Sequence, residues 1–138
     1  KWQRVGTTVL VVHARLLPDD GEWKAFIADC IAMGPLAQRG LIFADVTLNG
    51  EQRRQIAEVH RITGCHSVAV VTNSLLTRAL ITTMNWLSNT HRAFAPGDVL
   101  AAFDFLGVSD QERRELLELG LRFARELNLP QLEHSLSG

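Results

Sequence analysis

Two periods of apolar residues alternate along this chain. Short β-branched runs, clearest at Val9 to Val12, Leu41 to Ala44 and Val68 to Val71, are each followed by a stretch with apolar residues every three or four positions, at 22–33, 50–62 and 74–88. Continuous apolar runs bounded by small or polar residues read as strands covered on both faces, and the wider spacing reads as helices. Their alternation predicts an α/β fold, with a single mixed, largely parallel sheet of four or five strands flanked by helices.

The remaining elements follow from local signals. Trp2 to Val5 reads as a first strand that turns at Gly6 into Thr8 to Ala14, giving an N-terminal hairpin. Asp19 or Asp20 offers an N-cap to a helix carrying Trp23, Phe26, Ile27, Cys30 and Ile31, which Gly34-Pro35 ends. Leu41 to Val46 and Ser67 to Thr72 are the next core strands. Between them Asn49 and Gln52 have capping-box spacing, ahead of a helix that Gly64 stops. The helix from about Ser74 to Leu87 is apolar over most of its circumference, which predicts burial on more than one side. A short strand at Arg92 to Phe94 precedes a helix that starts at Pro96 and carries Val99, Leu100, Ala102, Phe103 and Leu106.

Ser109 with Glu112 reads as a capping box for a last helix reaching about Leu127. Its apolar positions cover roughly 200° of arc, more than one buried face requires. One side is expected to pack on the domain, and Leu117 and Leu121 are candidates for a contact with a second copy in a C2 homodimer. Gln131 to Gly138 reads as a polar, frayed tail. Residues 1–108 then form the α/β domain, with 109–138 a C-terminal helix and tail packed on it.

Composition narrows the function. With 14 basic and 15 acidic residues, a net charge of −1 and no Lys/Arg run, the chain lacks an electrostatic footprint for nucleic acid. No apolar run is long enough to span a bilayer, and no signal-type stretch follows Lys1 to Arg4, so the expected location is the cytoplasm. Cys30 and Cys65 fit a reduced pair there. The chain has no Gly-x-Ser-x-Gly elbow, Cys-x-x-Cys pair, Gly-x-x-x-x-Gly-Lys loop or Gly-x-Gly-x-x-Gly fingerprint, so no cofactor is expected. His60, Cys65 and His66 cluster without a full zinc-ligand set. His13, His60 and His66 read as structural, and His91 and His134 as exposed.

In a parallel α/β sheet, binding residues belong at the carboxyl ends of the strands. Two stretches lie there. Asp45, Thr47, Asn49 and Gly50 place a carboxylate, a hydroxyl, an amide and a glycine before a helix N-terminus, where free N–H groups suit an anion or a phosphorylated side chain. Thr72, Asn73 and Ser74, with Arg78 one turn on, form a hydroxyl cluster beside a cation that could hold a phosphate. Asn49, Asn73 and Ser74 also fit ordinary helix capping.

The order of elements resembles the STAS family, the anti-sigma factor antagonist fold, and the related SEC14-like lipid-carrier fold. The residues that carry this likeness are Trp2 with Val5-Gly6, Asp45-Val46-Thr47 and Arg92-Ala93-Phe94-Ala95-Pro96. The resemblance implies a non-catalytic cytoplasmic domain that binds a protein partner, such as a regulatory kinase or other signalling protein. It also implies a Ser or Thr phosphorylated at a helix N-terminus. The chain departs from the family there: Thr47-Leu48-Asn49-Gly50 stands where Asp-Ser-Ser-Gly is usual, so Asn49 replaces the serine. Two other readings compete, a receiver-like domain with Asp45 as phosphoryl acceptor and Thr72 beside it, and a carrier of a lipid or small apolar molecule, suggested by the 74–88 helix.

Overall fold

The computed structural model describes residues 1–14, 18–45, 48–88 and 90–138, without the side chains of 83–88. Five strands form one sheet in chain order: β1 (Trp2–Val5), β2 (Thr8–Val12), β3 (Arg39–Phe43), β4 (Ser67–Val71) and β5 (His91–Phe94). β1 is antiparallel to β2, and each later pair is parallel, with Leu10, Leu41 and Ala69 in register across the middle. A two-residue loop closes the hairpin, and Gly6 supplies its positive φ of 59°. The architecture is thus the α/β, mixed and largely parallel sheet flanked by helices that the periodicity predicts.

One helix joins each parallel pair: α1 (Asp20–Met33), α2 (Gly50–Thr63) and α3 (Leu75–Ser88). Right-handed crossovers between successive neighbours put all three on one face of the sheet. Asp19 caps α1 by accepting from the Glu22 N–H, and Trp23 on α1 donates its indole N–H to Gln55 on α2. The opposite face carries α4 (Val99–Leu106), α5 (Asp110–Glu126) and α6 (Pro130–Ser137), entered through a 3₁₀ turn at Pro96–Asp98.

The two faces are filled differently because strand residues alternate between them. On the α4–α6 side, Leu10, Val12, Leu41, Phe43, Ala69 and Val71 interleave with Phe103, Leu106, Leu116 and Phe123 in one continuous core. On the α1–α3 side the buried apolar residues form two separate groups, Val9, Val11 and Ala37 in one and Val68, Val70 and Ile81 in the other, bridged by half-buried Ile42. The cause lies in β3, where Ile42 is flanked on that face by Gly40 and Ala44. A cavity of about 170 Å³ remains between the sheet and the helices, bordered by all three of them.

Several sequence expectations are corrected. The start of α3 is buried on one side only: Leu75 is 76% and Leu76 66% exposed, while Thr77 and Ile81 turn inward. Met84, Trp86 and Leu87, also counted toward that apolar surface, lie outside the described side chains. The expected frayed tail is α6, whose Leu132 and Leu136 join the core, and Leu117 and Leu121 of α5 lie half-buried beside it. The capping box of α5 is only half made: Ser109 accepts from the Glu112 N–H, but the Glu112 carboxyl lies against Gly6 rather than returning to the cap. β2 ends at Val12, so His13 follows the strand. His91 is half-buried, not exposed.

Candidate functional site

A cleft of about 300 Å³ opens at the carboxyl ends of β2, β3 and β4. His13 and Ala14 after β2, Asp45 after β3 and Asn73 after β4 form its floor, and Pro96 and Gly97 border it. Its far wall is Leu129 with Gln131, Leu132 and Ser135 of α6.

The floor is tied together by one hydrogen-bonded chain. Asp45 Oδ1 accepts from the Asn73 backbone N–H at 2.8 Å and from Thr72 Oγ1 at 3.3 Å. Thr72 Oγ1 in turn accepts from the Ser74 N–H at 3.1 Å, and Ser74 Oγ accepts from the Thr77 N–H at 3.1 Å, capping α3. Asp45, Thr72, Asn73 and Ser74 are therefore assembled as expected, but as a scaffold. Thr72 is buried with its oxygen both donating and accepting, and Ser74 is engaged as a cap. Leu75 and Leu76 project into solvent immediately after this chain of bonds.

The other candidates are placed differently. Asn49 caps α2 in a closed box, accepting from the Gln52 N–H at 2.8 Å while Gln52 Oε1 accepts from the Asn49 N–H at 3.0 Å. Gly50 is the exposed first residue of that helix. Neither lines the cleft, and Glu51 in the same first turn opposes an incoming anion. Arg78 is half-buried one turn into α3, its Nε without a hydrogen-bond partner, and also lies outside the cleft lining. Thr47 lies outside the described residues.

Sequence reasoning overlooked the cleft's far wall. The signal was Pro130 followed by Leu132 and Leu136, a helical start and spacing hidden by the polar composition of 131–138. It also overlooked the role of His13, which borders both the cleft and the cavity on the α1–α3 face. Burial lowers the His13 pKa to about 4, so its imidazole is neutral at pH 7.

The cavity gathers further titratable side chains that lie far apart in sequence. Burial lowers His60 to about 4 and also lowers His91. Burial pushes the Cys30 thiol up to about 12 and raises Cys65, keeping both protonated. Among the described residues, no three of His, Cys, Asp and Glu stand together as metal ligands. No helix there is long and apolar enough to cross a membrane. No known protein family, curated protein or solved structure matches the chain.

Proposed function

We propose that this chain is a non-catalytic cytoplasmic regulatory domain that binds a protein partner at the carboxyl ends of its strands, as its resemblance to anti-sigma factor antagonists implies. The observation that carries this reading is the exposed Leu75–Leu76 pair at the start of α3, beside the cleft and anchored by the Asp45–Thr72–Ser74 hydrogen bonds. Two large apolar side chains on a fixed helix start, next to a polar floor, have the make-up of an interface anchor with its rim. The internal use of Thr72 and Ser74 and the capping role of Asn49 support recognition without the family's phosphorylation switch.

The test is crosslinking of the intact chain in its own cells, with Leu75→Asp/Leu76→Asp and Leu100→Asp compared against the parent. Leu100 is 67% exposed on α4 and serves as the control. A stoichiometric protein partner lost only in the Leu75/Leu76 variant is expected. Equal capture by all three forms would overturn the reading. The carrier reading gains one observation of its own, the cavity between the sheet and α1–α3.

A further inference from the structure

We infer that the cavity beneath α2 is a binding site for a small, uncharged, apolar molecule about the size of a substituted benzene. The inference is independent of the partner reading, which rests on other residues.

Three observations converge on it. The first is size: the space is about 170 Å³, and a dry apolar cavity of roughly 150 Å³ accommodates benzene. Its walls are mostly aliphatic and aromatic, including Val11, Phe26, Ile42, Ile56, Val70 and Leu80.

The second is Gly40 at the centre of β3. A Cβ there would meet the Val68 methyl groups at 3.5 Å, an ordinary contact, and the backbone is not in the left-handed region. Neither the sheet nor the backbone requires a glycine at this position. Its lack of a side chain leaves open the space that a valine or isoleucine would fill.

The third is charge. The histidines and thiols around the space are held neutral by burial. The two guanidinium groups at its border are engaged by the chain, Arg53 donating to the Leu48 carbonyl and Arg39 donating from Nη1 to Thr7 Oγ1. The apolar walls, rather than a charged group, then decide what fits.

The experiment titrates the full chain with toluene and hexanoate, followed by amide chemical shifts. Saturable one-to-one binding of toluene is expected, with hexanoate weaker. Gly40→Val should weaken toluene binding, and Gly40→Ala should do so to a lesser degree if the valine variant does not fold. Absence of saturable toluene binding by the parent chain, hexanoate as the tighter probe, or toluene binding indifferent to the Gly40 variants would each overturn the inference.

Discussion

The imidazole rings of His60 on α2 and His91 on β5 lie 5.2 Å apart, tilted by 35°. They meet at the edge of the cavity, where water is scarce. Burial, and secondarily the neighbouring His91, holds the His60 pKa near 4, well below the value of about 6.5 expected in an unfolded chain. His13 is depressed to the same level.

The sign of the resulting pH effect follows from proton counting. Between about pH 6.5 and pH 4 the unfolded chain binds protons that the folded chain does not. Stability from these groups is therefore fully present above about pH 6.5, falls as the pH drops through that window, and levels off below pH 4. The loss is expected to be on the order of 3 kcal/mol for each of the two histidines. Urea midpoints measured from pH 7.5 to 4 should show this decline. His60→Phe should flatten it by about one proton, and an unchanged slope would remove His60 as a contributor.

Asp45 joins the ends of two strands through its bonds to Asn73 and Thr72. Asp45→Ala leaves those donors to water and is expected to cost about 1.5 kcal/mol, the low end for a bond to a charged acceptor because the site is exposed. Asp45→Asn retains an acceptor oxygen and should cost less. Chemical denaturation would show the order, and equal losses would mean that the hydrogen bond is not what stabilises this end of the sheet.

Thr8 opens β2 fully buried, with its Oγ1 lacking any hydrogen-bond partner. Thr8→Val removes the unsatisfied hydroxyl and keeps the branched shape. A gain of about 1 kcal/mol is expected, as a raised denaturant midpoint with unchanged m-value. A loss would show that the hydroxyl has a partner in solution, such as a bound water.

Leu136 anchors α6 to α5, its Cδ1 only 3.0 Å from where a Cβ on Gly120 would sit. Leu136→Ala should destabilise the chain by about 2–4 kcal/mol and loosen the wall of the strand-end cleft. Hydrogen exchange localised to 130–137 would confirm this; uniform loss of protection would show instead that α6 unfolds only with the whole domain.

Much of the fold was legible because buried strands such as Val9 to Val12 and Val68 to Val71 write their burial directly into apolar runs, and Asp19, Asn49 and Gly64 mark helix ends by local chemistry. The Asp45–Thr72–Ser74 assembly was also accessible, since parallel neighbours must bring their carboxyl ends side by side. What stayed hidden depends on packing between distant segments. The packing of Leu132 and Leu136 stayed hidden because 131–138 reads as polar overall. His91 looked exposed because only the fold brings His60 over it. The cavity rests on Gly40, and one glycine in a strand gives no sign of the space above it.

The match between strand order in the sheet and strand order in the chain bears on how the molecule is made. As synthesis proceeds from the N-terminus, the β1–β2 hairpin offers an edge to β3, which offers one to β4, and so on, so each emerging segment docks on structure already present. The contacts that tie β1 and Lys1 to α5, Arg122 with Gln3 and Glu126 with Lys1, form only once α5 has left the ribosome. Until α4 and α5 have both emerged, part of the Leu10–Leu41–Ala69 face lies open, so the interval after β5 emerges is when a nascent chain of this protein most needs protection from its neighbours.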